Sequence, residues 1–337
     1  MQRCAVLRRK ATTMNIVYAS DEGYCQHMAV SIASLIEHNT SEQLTFHILS
    51  DGISMEKEDQ LRAMVHGYGK KIVFYPIEHL MEELRGQIYG LDTGRFRITT
   101  LARLLMGSIL PRMVTKVLYL DCDTVVLRSI APLYRLRLEE NMAAMAAEPT
   151  IYPEVKEKIG LTEEDTYFNA GMLLMNLSAW RLEDMEANCF AYYNQMGGQL
   201  PFNDQDVLNH VLKGRIRRVG QTYDFITNYY YFRYETLCAK SASFARGESK
   251  ESFHLAKHHP VIVHFASDER PWNRGNLNHY TRAYDKYLKK TPFAGAARVK
   301  GKEAYMALYH AMNIATFLCP QVRQYISDRY YHEQIEK

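Results

Sequence analysis

Short continuous apolar runs alternate with stretches of helical periodicity through the first half of the chain. Ile16-Val17-Tyr18-Ala19, Thr45-Phe46-His47-Ile48-Leu49, Ile72-Val73-Phe74-Tyr75 and Val117-Leu118-Tyr119-Leu120 read as strands. Between them, residues 27–37 set Met28, Ile32, Leu35 and Ile36 on one helical face. Residues 55–66 predict a second helix, and residues 100–110 a third that stops at Pro111. Strands alternating with helices predict an α/β fold, with a mostly parallel central sheet flanked by helices. In such sheets, ligands sit beyond the carboxyl ends of the strands.

The second half is more mixed. Met172 to Leu177 reads as a strand, with Ser178 as the cap of the following helix. Residues 204–213 predict a helix, residues 223–234 are crowded with tyrosines, and Pro260 to Phe265 predicts a late buried strand. From 280 to 337 the pattern is helical and amphipathic, broken at Pro292 and Pro320. Residues 14–279 are thus expected to form the main domain and 280–337 a helical C-terminal region.

Composition changes this picture little. With 337 residues, 47% hydrophobic, 23% charged and a formal charge of +3, the chain reads as an ordinary globular enzyme, and nothing in it points to nucleic acid. The charge is uneven, however. Nine basic residues lie between Arg270 and Lys302, with Asp285 as the one acid among them. Such a stretch suits anionic phosphates, an anionic membrane surface or a solvated helix face. The six cysteines show no Cys-x-x-Cys spacing, which predicts free thiols in a reducing compartment. No apolar run approaches the roughly 18–20 residues of a membrane span. Residues 1–13 are basic, without an apolar segment behind them, and are expected to be a disordered extension preceding a start at Met14.

The chemistry collects at strand ends. Asp121-Cys122-Asp123 follows an apolar strand, and side chains two apart on a strand share a side. Two carboxylates that close repel unless a cation lies between them, and hard divalent ions take oxygen ligands and bridge to phosphates. On spacing alone, a metal pair and a strand-end turn with solvated carboxylates are equally good readings. Asp204-Gln205-Asp206 repeats the pattern elsewhere. His264 ends another apolar run; it could complete the metal shell, though a lone strand histidine is more often a core residue. Arg270, six residues on, is a planar fork suited to a diphosphate.

These segments together resemble glycosyltransferase family 8, above all its bacterial lipooligosaccharide α-galactosyltransferases and α-glucosyltransferases. The resemblance runs from Asn15 to Trp272 through Asn-Ile-Val-Tyr-Ala-Ser-Asp (15–21), Leu-Ala-Arg-Leu (101–104), Lys-Val-Leu-Tyr-Leu-Asp-Cys-Asp (116–123), Tyr-Phe-Asn-Ala-Gly-Met-Leu-Leu-Met-Asn-Leu (167–177), Asn-Asp-Gln-Asp-Val-Leu-Asn (203–209), and His264 with Arg270-Pro271-Trp272. It implies a GT-A fold, a UDP-hexose donor (glucose or galactose), Mn²⁺ with Mg²⁺ as the alternative, and retention of anomeric configuration. By the same resemblance, Asp121, Asp123 and His264 bind the metal, and Asp21 reads the uracil. Arg103 holds the donor sugar, and Asn169, Asp204 and Gln205 line its pocket. Gln205 lies nearest the anomeric carbon, with Asp204 as the fallback nucleophile. Ser267 belongs to the donor-binding set, and Arg270 sits on the diphosphate. Three positions depart from the family pattern: Ser267 stands for a usual Gly, Arg270 for a Lys, and Gly23 for a ribose-contacting Asn.

The expected acceptor is a saccharide, lipid-linked in some settings. The expected place is the cytoplasm, with residues after 280 docking on the inner face of the membrane. Removing 293–337 is then expected to release the chain from membranes and leave UDP-sugar hydrolysis intact. One rival reading, a nucleotidyltransferase, predicts a Gly-rich loop after the first strand, and Ser20-Asp21-Glu22-Gly23 is not one. The other is a non-catalytic sugar-nucleotide-binding or scaffold protein of a polysaccharide assembly complex.

Overall fold

The computed structural model describes residues 13–88, 90–93, 98–266 and 268–317, and 319, 322, 325, 326 and 329 beyond them. The extension expected at 1–13 lies outside these but for its last residue. Two sheets organise the chain. The larger joins β1 (Met14–Asp21), β2 (Leu44–Asp51), β3 (Lys71–Pro76), β4 (Lys116–Leu120), β6 (Ala143–Ala146), β7 (Met172–Asn176) and β8 (Ile216–Val219). Their order is β3-β2-β1-β4-β7-β6-β8. The smaller is β5 (Thr124–Val126), β10 (Ile262–His264) and β9 (Phe225–Ile226), with β10 in the middle.

The large sheet is parallel except for β7, which runs antiparallel to both β4 and β6. Its central strands are buried on both faces, which is why their sequences are continuous apolar runs rather than alternations. One face carries the helices Cys25–His38 and Met55–Gly67; the other packs Leu101, Leu104, Met106, Trp180 and Tyr193. Each Å² of apolar surface these strands remove from water stabilises the fold by about 25 cal/mol.

Three local expectations are corrected. Residues 98–105 wind as a 3₁₀ helix, and only Met106–Ile109 is α-helical. Thr99 gives its hydroxyl to Asp51 on β2, and the Arg103 side chain folds back to the Thr100 carbonyl at 3.2 Å, so polar contacts tie this segment to the sheet and to itself. The helix Leu177–Leu182 is capped by Asn176, whose side chain accepts from the Ala179 N–H at 3.1 Å, and not by Ser178. Asp121 and Asp123 are not on a strand, because β4 ends at Leu120 and residues 121–123 form the turn into β5. Alternation along a strand therefore does not bring these carboxylates together.

The C-terminal region is tied to the rest. In the helix Thr281–Leu288, Tyr284 and Tyr287 are buried in one cluster with Phe225, Phe265 and Trp272. Lys286 and Lys290 both pair with Glu37, Arg298 pairs with Asp285 at 2.6 Å, and Arg274 faces Glu303 at 3.8 Å. Much of the basic stretch is thus committed to internal pairs. Val299 exchanges backbone hydrogen bonds with Trp272 and Arg274, each at 2.8 Å. From the helix Glu303–Phe317, Tyr305 donates to Asp268 at 2.8 Å and His310 accepts from the Leu277 N–H at 2.9 Å. The segment from 298 to 310 therefore straps the loop that carries Arg270. No helix among the described residues is long and apolar enough to cross a membrane.

Candidate functional site

The turn at 121–123 is where the chain passes from one sheet to the other. Its backbone is held from three sides. The Asp121 N–H donates to the Gly171 carbonyl at 2.8 Å, the Thr124 hydroxyl to the Asp121 carbonyl at 2.8 Å, and the Phe265 N–H to the Asp123 carbonyl at 2.8 Å. β10 lies antiparallel to β5 with His264 opposite Thr124, so the register itself sets His264 beside Asp123. His264 Nε2 stands 3.4 Å from Asp123 Oδ1 and 3.7 Å from Asp121 Oδ2. One donor atom from each of the three residues lies within 4.8 Å of the others.

Two carboxylates and an imidazole nitrogen facing one another fit a Mn²⁺-type ion, which accepts both oxygen and nitrogen donors. Burial works against a charged Asp123, yet His264 and Arg270 outweigh it and hold the carboxyl below its usual range. For His264, burial disfavours the cation, but Asp224 and Asp123 reverse this and raise it. Arg270 Nη2 is 3.9 Å from Asp123 Oδ2, and the guanidinium lies 5.9 Å from both the Tyr24 and Trp272 rings. Half-exposed and pinned on one side, it can meet an anion brought to the metal cluster.

Arg103 is buried beneath the cluster with a side-chain exposure of 5%. It reaches Asp121 at 2.8 Å, Asp204 at 2.9 Å and the Ala170 carbonyl at 2.5 Å, and it lies over the Tyr119 ring at 4.5 Å. Tyr119 also donates to Asp121, at 3.0 Å. Burial pushes Asp204 up to about 6 even though Arg103 pulls it down. The two Asp-x-Asp triplets are therefore joined through one arginine, which spacing gave no means of seeing.

Asn169, Gln205 and Glu148 form the neighbouring wall. Glu148 accepts from the Asn169 and Gln205 amides, each at 2.9 Å. The Gln205 carbonyl accepts from the Ala170 N–H at 2.9 Å, and its amide also reaches the Tyr167 hydroxyl at 3.2 Å. Tyr167 donates to Asp206 at 2.6 Å, and burial raises Asp206 to about 7. Burial likewise raises Glu148. Asp21 ends β1 on the same sheet edge, and its Oδ1 accepts from the N–H groups of Gly23 at 2.8 Å and Tyr24 at 3.0 Å. These bonds shape the turn that leads into the helix Cys25–His38, whose N-cap is Tyr24. Ser267 lies outside the described residues.

The reading from sequence missed two carboxylates. Glu148 follows β6, whose run of alanine and methionine carries little strand signal, although a carboxylate just past an apolar run is the cue that exposed Asp121. Asp224 lies behind His264, with Oδ1 at 3.1 Å from Nδ1, and no spacing announces it. The tyrosine-rich segment divides. Tyr229 is buried in the core, while Tyr230 is partly exposed and stacks on His279 with centroids 4.3 Å apart.

Comparison with known proteins adds to this geometry. The model of the family described as "Glycosyl transferase family 8" matches residues 15–276. A "Putative glycosyltransferase" of Haemophilus influenzae is 30% identical over 216 residues, which are 63% of this chain and 63% of that protein's own length. The "Lipopolysaccharide 1,3-galactosyltransferase" of Salmonella typhimurium is 25% identical over 313 residues, 90% of this chain and 86% of its own. Among solved structures, the galactosyltransferase LgtC in complex with donor and acceptor sugar analogues matches with a TM-score of 0.69 at 28% identity. That match covers 83% of this chain and 96% of LgtC. These likenesses bear out the GT-A fold expected from the sequence.

Proposed function

The chain belongs to glycosyltransferase family 8, and we propose that it is a metal-dependent, retaining hexosyltransferase that moves glucose or galactose from a UDP-sugar to a hydroxyl of a saccharide acceptor. The observation that carries this reading is the convergence of Asp121, Asp123 and His264 beside Arg270. That cluster stands on the carboxyl edge of the sheet, where a nucleoside diphosphate would leave. The galactosyltransferase activities of the Salmonella relative and of LgtC support a hexose donor, and the lipopolysaccharide specificity of the former supports a surface-glycan acceptor.

Asp121, Asp123 and His264 would hold the ion, Mn²⁺ or Mg²⁺. When bound, it supplies Lewis-acid stabilisation of the departing diphosphate. Arg270 adds a second positive charge on that leaving group. Asp21 takes the uracil end of the donor. Arg103 spends its guanidinium on Asp121, Asp204 and Ala170, so its part is to hold those two carboxylates in place under the donor. Asn169 and Gln205 present their edges to the sugar, steadied by Glu148.

Retention needs a protein nucleophile or same-face attack. Asp204 is ion-paired to Arg103 and already pushed toward neutrality, and the Gln205 carbonyl is engaged by Ala170. Both are poor nucleophiles, which favours same-face attack. The acceptor oxygen bonds to the anomeric carbon as its bond to the diphosphate oxygen breaks, and the acceptor proton passes to that departing oxygen. The transition state resembles an oxocarbenium ion.

Docking on the inner face of a membrane belongs to the same reading. Leu308 and Ile314 are exposed on the last helix, at 72% and 67%. The strap from 298 to 310 changes the expected outcome of truncation. Ending the chain at residue 297 should lower UDP-sugar hydrolysis several-fold in solution, because the Arg270 loop loses its bonds to Arg298, Val299, Tyr305 and His310. Hydrolysis kinetics of the purified truncated chain, without membranes, check this; an unchanged rate would confine the region to docking.

The function itself is tested by measuring UDP release from UDP-glucose, UDP-galactose and UDP-N-acetylglucosamine, with Mn²⁺ and with a chelator. One hexose donor should dominate, and release should stop with the chelator. UDP binding without turnover of any donor would favour the non-catalytic scaffold.

A further inference from the structure

We propose that Asp224 is a positioning residue that aims His264 at the metal, and that this carboxylate–imidazole pair sets the site's preference for Mn²⁺ over Mg²⁺. The inference rests on the metal reading of Asp121, Asp123 and His264. Asp224 ends the turn Gln221–Tyr223 and directly precedes β9, which runs parallel to β10 with Ile226 beside His264. The turn is pinned by Gln221, itself fully buried, which donates to the Ala147 carbonyl at 2.6 Å. Backbone pairing therefore fixes where the Asp224 side chain stands relative to the imidazole.

The ring is held from two directions. Its Nδ1 faces Asp224 Oδ1 at 3.1 Å, with side-chain exposures of 5% for His264 and 0% for Asp224. On the other flank is Gly171, where a Cβ would come within 2.2 Å of His264 Cε1 and 2.7 Å of Nδ1. Only a glycine leaves room for the ring in this position. An imidazole whose Nδ1–H is given to a carboxylate keeps its lone pair on Nε2, and Nε2 is the atom that faces Asp121 and Asp123. The second Asp224 oxygen is buried with no hydrogen-bond partner among the described residues. Such a carboxylate is costly to fold around, and a cation beyond the imidazole offsets that cost. A nitrogen ligand made more basic by its carboxylate favours Mn²⁺, whereas Mg²⁺ prefers an all-oxygen, octahedral shell.

The test uses the full chain and the metals alone. Mn²⁺ binding is measured from the electron paramagnetic resonance of the free ion, and Mg²⁺ binding by competition, for wild type, Asp224→Asn, Asp224→Ala, His264→Ala and the double variant His264→Ala/Asp224→Asn. Loss of Asp224 should weaken Mn²⁺ by about 10–100-fold, weaken Mg²⁺ less, and change nothing further once His264 is gone. An unchanged Mn²⁺ affinity in the Asp224 variants overturns the inference alone. So does the same loss with and without His264, which would mean that Asp224 acts by its charge or on the fold. A wild type that binds no Mn²⁺ overturns the metal reading as well. If the variants do not fold, nitrogen-15 spectra of the Mg²⁺-bound wild type decide the point. A proton on Nδ1 of His264 supports the assignment, and a proton on Nε2 overturns it.

Discussion

Asp123→Asn should leave a folded protein that no longer transfers sugar in a metal-dependent way, with turnover down by about 10²–10³-fold or more. The amide has the shape of the carboxylate but not its charge. Asp123 is the carboxylate nearest His264 Nε2, so the change replaces one of three converging donors by a neutral, weaker ligand oxygen or by an amide nitrogen that cannot ligate. The fold should survive, because the turn is held by main-chain contacts. The bonds from Phe265 to the Asp123 carbonyl and from Asp121 to Gly171 do not involve the side chain. Replacing one of two neighbouring carboxylates also relieves their repulsion. Thermal unfolding in the presence of a chelator and UDP release with Mn²⁺ separate the two effects. A variant that keeps metal-dependent turnover would remove Asp123 from the metal shell.

Arg103→Leu is expected to hit stability as well as activity. The guanidinium is the shared partner of Asp121 and Asp204, and both it and Asp204 are almost sealed from solvent. Removing one partner of a buried ion pair costs about 3–5 kcal/mol, because the remaining charge has neither water nor a counterion. Asp204 should respond by holding its proton more firmly, since burial already lifts it to about 6 against the pull of Arg103. Asp121 retains its bond from Tyr119 but loses its cation. Urea unfolding should therefore show a markedly lower midpoint. A second change, Asp204→Asn, should recover part of the loss, because the orphaned charge goes with it. An Arg103→Leu chain as stable as wild type would mean that water reaches this pair in solution.

These two sites show different relations between sequence and structure. Asp121, Asp123 and His264 were legible because each follows an apolar run, and apolar runs mark where strands end. Alternation along a strand does not account for the two aspartates, since they occupy the turn between two sheets. Arg103 was legible through its resemblance to family members. Its contacts were not, because the chain must fold before residues 103, 121 and 204 meet. Asp224 carries no signal, since it sits in a tyrosine-rich segment, and Glu148 carries only a weak one, since the strand before it is rich in alanine.

What the sequence determined by itself is the order of buried strands and helices, and hence a mostly parallel sheet with chemistry at its carboxyl edge. This follows from hydrophobic periodicity, which is a local property of the chain. The tertiary structure alone decided which side chains share a charge, which carboxylate orients His264, and why Gly171 must be glycine. It also turned part of the basic C-terminal stretch inward, pairing Lys286 and Lys290 with Glu37, and made the last helix a support for the Arg270 loop. Such contacts depend on register and packing between residues far apart in the chain, and no local pattern encodes them.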